Sequence, residues 1–90
     1  METIYKYPIE ATDLIQLEMP KDAQILSVQS QAGVACIWAL VNPDEPTEYR
    51  YFEIFGTGHP MQSDMGLGRR YIGTYQLLEG SLVFHLFERS

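Results

Sequence analysis

Short runs of alternating apolar residues, separated by Gly, Pro, Asn and Asp, are the feature that most constrains this fold. Apolar residues do not recur at helical spacing over any window longer than two turns. The runs cover residues 4–9, 14–19, 24–31, 34–41, 48–55, 70–78 and 82–88. They predict an all-β fold, a small sandwich or partly open barrel of six to seven mostly antiparallel strands.

The residues between the runs predict how the strands connect. Ala32-Gly33 predicts a hairpin turn, and residues 79–81 predict a second tight turn before the last strand. Pro8 places the first strand at a sheet edge, because proline cannot donate to a ladder on both sides. Asp13 could alternatively cap a short helix in the second run, although Pro20 disfavours it. Residues 56–68 form a loop longer than a hairpin needs.

Length and charge limit the classes of function. Ninety residues make a single domain, 1–90, and its 46% hydrophobic content is enough for a core. The net charge of −6 argues against binding to duplex nucleic acid or to an anionic membrane. No apolar run is long enough to span a membrane, and the first residues lack the apolar region of a signal peptide. Cys36 has no partner for a disulfide, so we expect a cytoplasmic protein.

Two strands carry apolar residues on both faces. In the runs 34–41 and 82–88, Ile, Val, Leu, Trp and Phe fall at odd and at even positions. One small core does not need so much apolar surface. We therefore expect a homo-oligomer in which part of it lies at a subunit interface.

The Gly-rich segment after the fifth run is the first candidate binding element. Gly56, Thr57, Gly58 and His59 resemble part of a phosphate-binding loop, since glycines expose backbone N–H groups that can receive an anion. The complete motifs are absent: no Lys follows, and Pro60 and the strand context do not supply a helix. A second interpretation is a plain turn that needs positive φ, with His59 as an ordinary polar loop residue.

Arg69, Arg70, Tyr71 and Tyr75 form the second candidate element. Neighbouring strand residues point to opposite faces, so one arginine can enter a pocket while the other faces solvent or a partner. Guanidinium groups bind phosphate and stack on bases. Tyr71 and Tyr75 are expected on one face, with Gly73 leaving a gap for a flat ring. Alternatively, both tyrosines pack between sheets and Gly73 lies at a bulge.

The sequence predicts binding rather than catalysis. His59 and His85 have no neighbouring carboxylates at ligand spacing, so no metal site and no cofactor are expected. No serine has a nucleophile-elbow context, and no two acidic residues are brought together by local spacing. Asp64 lies inside the loop. We therefore assign no catalytic residue, and the expected partner is a small anionic ligand.

Several motifs together resemble a known family. They are Lys6-Tyr7-Pro8, Ile25-Leu26-Ser27-Val28-Gln29, Trp38-Ala39-Leu40-Val41, Gly56-Thr57-Gly58-His59-Pro60, Tyr71-Ile72-Gly73-Thr74 and Leu82-Val83-Phe84-His85-Leu86-Phe87-Glu88. They look like a family of small phage and prophage proteins known as a domain of unknown function. The chain also resembles, in size and origin, the phage-encoded sponges that sequester cyclic nucleotide signals of bacterial immunity (anti-CBASS proteins).

This second resemblance implies a noncatalytic protein in the host cytoplasm that binds a nucleotide or cyclic oligonucleotide. It supplies no residue-level motif, so the candidate residues rest on their chemistry alone. The alternative hypothesis is a phage protein-interaction module that inhibits a host protein by covering it. The acidic surface and the surplus of aromatic strand residues favour that alternative. A small enzyme such as a nucleotide hydrolase using His59 is the least supported hypothesis.

Overall fold

The computed structural model describes residues 1–10, 12–63 and 68–89. Within them the chain forms seven strands and one short helical turn. The elements are β1 (Thr3–Pro8), β2 (Leu14–Pro20), β3 (Gln24–Gln31), β4 (Val34–Val41), β5 (Thr47–Gly56), β6 (Arg69–Leu77), the turn Leu78–Gly80 and β7 (Leu82–Arg89). Asp64 and the middle of the predicted loop lie outside the described residues.

The strands form two antiparallel sheets that do not close into a barrel. One sheet has the order β1-β4-β3 and the other β2-β5-β7-β6. Every recorded strand pair is antiparallel. The predicted all-β class is confirmed, as is the position of β1 at a sheet edge.

The core lies between the two sheets, where alternate residues of each strand point inward. Its largest fully buried side chains are Phe52, Met19, Ile37, Leu86 and Val41. Edge strands β3 and β6 pack against each other, which joins the sheets along one side. The opposite face of the four-stranded sheet is only partly covered.

In both predicted turns, residues adopt a positive backbone φ. Ala32 and Gly33 have φ of 51° and 81°, the sign that two-residue hairpin turns of type I′ require. Between β6 and β7, Leu78, Glu79 and Gly80 have φ of 50°, 55° and 89°. Two of these three are not glycine, so this turn stores backbone strain that the flanking strand pairing must offset.

A bulge in β6 decides where its tyrosines point. The pairing with β7 shifts between Tyr71 and Gly73, so that Tyr71 pairs with Phe87 whereas Tyr75 pairs with Phe84. These partners lie on opposite faces of β7. The expectation that Tyr71 and Tyr75 share a face is therefore wrong, because one extra residue reverses the alternation.

The gap at Gly73 is filled by the other sheet. A Cβ at Gly73 would lie 3.0 Å from Cγ1 of Val28 in β3. Tyr75 is only 4% exposed and packs in the core against Phe84, with ring centroids 5.7 Å apart. Gly73 thus permits close approach of β3 and β6 and leaves no slot for a flat ligand.

An ion cluster closes one end of the core. Glu88, 9% exposed, accepts hydrogen bonds from Nε and Nη2 of Arg50. Arg50 also donates from Nη1 to the carbonyl of Ala23 at 2.8 Å, which ties β5 to the turn before β3. Arg70 donates to Glu88 from the exposed side at 3.1 Å. The hydrogen bond to Glu88 raises the pKa of Arg50 above its ordinary value, so the guanidinium group of Arg50 stays charged.

Candidate functional site

The outward side of the four-stranded sheet carries an unusual concentration of rings. We call it the outer face; it comprises Tyr49, Tyr51, Glu53 and Phe55 of β5, Arg69, Tyr71 and Thr74 of β6, and His85, Phe87 and Arg89 of β7. The centroid of Phe87 lies 5.8 Å from that of Phe55 and 5.5 Å from that of Tyr71, so the rings form a row across three strands. Tyr49, Tyr51 and Tyr71 are 57%, 45% and 55% exposed. Sheet faces that only meet solvent seldom keep so many accessible rings together.

The Gly56-Thr57-Gly58-His59 segment folds as a tight turn at the end of β5. The N–H of His59 donates to the carbonyl of Gly56 at 3.1 Å, and Gly58 at the third position has φ of 83°. That positive φ is what a type II turn requires. A Cβ at Gly56 would lie 2.6 Å from Nδ1 of His59, so this glycine lets the imidazole fold back over the strand. Both glycines therefore permit this turn: Gly58 adopts its positive φ, and Gly56 leaves room for the imidazole of His59.

Arg69 links Gln62, which lies between β5 and β6, to the outer face through hydrogen bonds. Its Nε donates to Glu53 at 2.7 Å, and its Nη2 donates to the carbonyl of Gln62 at 2.7 Å. The guanidinium carbon lies 5.0 Å from the ring centroid of Phe55, within cation–π range. Only 14% of the Arg69 side chain is exposed. The positive charge is thus held in a fixed place.

A cavity of about 620 Å³ lies between this loop and the outer face. Its walls are the start of β2, the end of β5, and loop residues 59, 60, 62 and 63, together with Arg69 and Arg89. The carboxylate of Glu53 lies between the two arginines, with Nε of Arg89 at 3.7 Å. Asp13 also lines the cavity and adds a second carboxylate. The volume is that of ordinary small-molecule sites.

Arg89 is the more accessible cation of this cavity. Its side chain is 28% exposed, twice the value for Arg69. Its separation from Glu53 exceeds hydrogen-bond distance, whereas the bond from Arg69 to Glu53 does not. An anion entering the cavity can therefore reach Arg89 without first displacing a hydrogen bond to Glu53.

The structure brings some predicted residues together and separates others. Gly56, His59 and Arg69 line the cavity, and Thr57 and Gly58 belong to the turn at its rim. Tyr71 lies on the outer face beside Phe87. Arg70 points to the opposite side of the sheet and binds Glu88, and Tyr75 is in the core. Arg70 and Tyr75 therefore lie away from this cavity.

The cavity residues that the sequence reasoning missed include Glu53, Phe55 and Arg89. The alternation in β5 places Glu53 and Phe55 on one side, and this signal was available in the sequence. Arg89 comes close only because β7 lies between β5 and β6 in the sheet. That strand order is a tertiary property.

Two threonine hydroxyl groups form hydrogen bonds with the two ring nitrogens of His85 on the outer face. Its Nδ1 shares a hydrogen bond with Oγ1 of Thr74 at 2.9 Å, and its Nε2 shares one with Oγ1 of Thr57 at 2.7 Å. The hydroxyl of Tyr71 in turn lies 2.5 Å from that of Thr74. The imidazole thus links β6, β7 and the turn after β5, and hydroxyl partners can serve either of its tautomers.

No group of three or more His, Cys, Asp or Glu side chains in the described part of the chain is arranged to hold a metal ion. No helix among those residues has the length and apolar character to cross a membrane.

Comparisons with known proteins identify a family and nothing closer. No curated protein and no solved structure matches the chain. A family model described as "Domain of unknown function (DUF7352)" matches residues 1–90. Since the match spans every residue of the sequence, the chain belongs to the DUF7352 family.

Proposed function

We propose that this protein is a noncatalytic binding protein that holds a small anionic ligand, a nucleotide or cyclic oligonucleotide, in the cavity on the outer face. The observation that carries the proposal is the pair of guanidinium groups, Arg69 and Arg89, in one cavity beside the ring of Phe55. Arginine is well suited to phosphate because its planar N–H groups can donate in pairs.

The cavity and the neighbouring part of the outer face, where Tyr71 lies outside the cavity lining, together offer the two kinds of contact that a nucleotide needs. Arg89 supplies donors for a phosphate, and Arg69 adds a fixed positive charge nearby. Tyr71, exposed and supported from the side by Phe87, offers a ring on which a base can stack. A cyclic oligonucleotide presents phosphates and bases in alternation, so it can contact the arginines and the ring of Tyr71 together.

Glu53 makes the site selective by charge. It neutralises part of the positive charge when no ligand is bound, so the empty site avoids two unpaired cations at short range. A phosphate must share the arginines with this carboxylate. We therefore expect ligands with two or more negative charges to bind better than monoanions.

The biological setting that we propose is phage anti-defence in the host cytoplasm, by sequestration of an immune signal. Its support is the resemblance to small phage and prophage proteins and to cyclic-nucleotide sponges. A sequestering protein needs tight binding without turnover, which agrees with a sequence in which no catalytic set was recognised.

Calorimetric titration tests the proposal with cyclic dinucleotides, cyclic trinucleotides and linear nucleotides. We expect Arg89→Ala to weaken binding by about 1.5–3 kcal/mol, roughly ten- to hundredfold, the scale of a charged hydrogen bond. Arg70→Ala is the matched control, because it removes the same group from the other side of the sheet. Glu53→Gln should tighten binding by removing the competing carboxylate. Absence of heat with every ligand, or equal losses for the two arginines, would contradict the proposal.

The exposed tyrosines of the outer face favour a second candidate, a module that covers a host protein. Tyr49 and Tyr51 lie outside the cavity lining, and aromatic side chains are enriched at interfaces. Capture of one host protein in stoichiometric amount, lost with Tyr49→Ala and Tyr51→Ala but kept with Arg89→Ala, would select this candidate. The reverse pattern, a retained nucleotide lost only with Arg89→Ala, selects the first.

A further inference from the structure

Strand β1 is an open sheet edge with little to prevent another strand from pairing with it. It lies at the end of the order β1-β4-β3, and β4 is its only partner among the described residues. Its six residues pair with β4 in unbroken register from Thr3 to Pro8. A regular edge of this kind presents unused N–H and C=O groups.

Bulges interrupt two of the other three edges among the described strands. Strands β3 and β6 each carry a bulge, at Leu26 and at Ile72, and they pack against each other. Strand β2 carries Glu18 and ends at Pro20. Charges, prolines and bulges discourage edge pairing. Strand β1, like β2, has one charged residue and a terminal proline, Lys6 and Pro8, and its pairing with β4 has no bulge.

Apolar side chains flank this edge on both faces of the sheet. On one face Ile4 is 58% exposed, next to the partly covered Trp38 and Leu40 of β4. On the other face Tyr5 is 39% exposed and contacts Tyr7, with centroids 6.3 Å apart. A further strand at this edge would cover apolar surface on both faces at once.

We propose that β1 pairs antiparallel with β1 of a second copy of this chain, joining the two three-stranded sheets into one of six strands. Charge complementarity identifies the occupant and the register. With Ile4 opposite Ile4 of the second copy on the two-fold axis, Lys6 lies opposite Glu2 twice, on the same face as Ile4. A register centred on Lys6 would instead place two ammonium groups together. In the dimer, Lys6 exchanges its present hydrogen bond to Gln31 for the carboxylate of Glu2.

The dimer is expected to be a dissociable one. In this register residues 2–6 of the two copies face each other, and so short a ladder buries less than the standard interface of about 1,600 Å². We therefore expect monomers at nanomolar concentration and dimers at high micromolar concentration. Because β1 contributes no residue to the cavity, the dimer and ligand binding are independent of each other.

Light scattering and native mass spectrometry over a concentration series test the dimer. Ile4→Lys should abolish it, since two added lysines meet on the axis. Val34→Lys is the matched control: Val34 is 47% exposed, and the part of β4 that pairs with β1 runs from Cys36 to Val41. Circular dichroism checks that each variant keeps its fold. A wild-type protein that stays monomeric at submillimolar concentration overturns the proposal, as does a dimer that survives Ile4→Lys.

A charge exchange tests the register without loss of apolar surface. Glu2→Lys and Lys6→Glu should each weaken the dimer, and the double variant should restore it. Failure of the double variant to recover rejects the Ile4-centred register.

An independent check uses Ile4→Cys in a Cys36→Ser background. Residues facing each other across antiparallel strands have Cα atoms about 4.5–5.5 Å apart, within disulfide range, so Ile4→Cys should cross-link under mild oxidation and Tyr5→Cys should not.

Discussion

The ion cluster around Glu88 gives a prediction that separates buried from exposed charge pairs within one group of side chains. Glu88 binds Arg50, whose side chain is 16% exposed, and Arg70, whose side chain is 67% exposed. Glu88→Gln keeps the shape of the side chain and removes its charge. Arg50 then keeps neutral acceptors, the amide oxygen at position 88 and the carbonyl of Ala23, and loses its buried counter-charge.

The magnitude follows from burial. Breaking a buried pair by removing one partner costs about 3–5 kcal/mol, and we take the lower value, about 3 kcal/mol, because a small part of each side chain still meets water. Arg70→Ala breaks only an exposed pair, so we expect a loss below about 1 kcal/mol. For a domain of this size, the loss from Glu88→Gln lowers the Tm by about 12–24 °C.

Urea denaturation followed by circular dichroism measures both losses on one scale. The double variant Arg50→Met with Glu88→Leu serves as a control, because replacing both charges leaves no unpaired buried ion and Arg70 is largely exposed to water. It should be more stable than Glu88→Gln, although the carbonyl of Ala23 loses its donor. If Glu88→Gln cost no more than Arg70→Ala, the assignment of Glu88 to a buried, structure-determining pair would be refuted.

Three further outcomes are expected. Burial raises the pKa of Tyr75 from 10.0 to about 12, so the unfolded chain loses this proton at a lower pH than the folded protein does. The stability contributed by the neutral phenol is therefore fully present below about pH 10 and declines as the pH rises towards 12. Comparing urea denaturation of the wild type with Tyr75→Phe at each pH isolates this decline, and parallel curves would contradict it. Gly73→Ala should lower the free energy of unfolding by about 1–3 kcal/mol, since the added Cβ would lie 3.0 Å from Cγ1 of Val28. Adding Val28→Ala should recover part of this loss, and additive losses of the two variants would argue against the contact. Leu78→Gly should raise the Tm slightly, because φ of 50° strains leucine but not glycine, and a lowered Tm would show that no strain resides there.

Strand positions were largely predictable because period-two patterns and turn residues act locally. The limits of β3 and β4 agree with the runs 24–31 and 34–41, and the Ala32-Gly33 turn forms where expected. At β1, β2, β5, β6 and β7 one or both ends differ by one residue. The Gly56-Thr57-Gly58 segment was also open to local reasoning, and its turn interpretation agrees with the φ of Gly58.

The composition of the candidate site was less predictable. Side-chain alternation correctly separated Arg69 from Arg70, because adjacent strand residues face opposite sides. The same rule failed at Tyr71 and Tyr75, because the β6 bulge between them reverses the alternation. Chemical type alone could not distinguish an arginine that lines a cavity from one that binds a buried carboxylate.

The sequence by itself determined the all-β class, the strand segments and the tight turns, since each depends on interactions between residues close in the chain. It also indicated that β1 is an edge strand, because Pro8 has no N–H to donate to a second ladder. Only the tertiary structure decided the strand order β2-β5-β7-β6, which brings Arg89 and Arg69 to the same carboxylate. It also decided that Val28 occupies the gap at Gly73 and that Arg70 binds Glu88 on the side of the sheet away from the cavity. These outcomes depend on contacts between strands distant in sequence, whose order and register are set by packing the whole core at once.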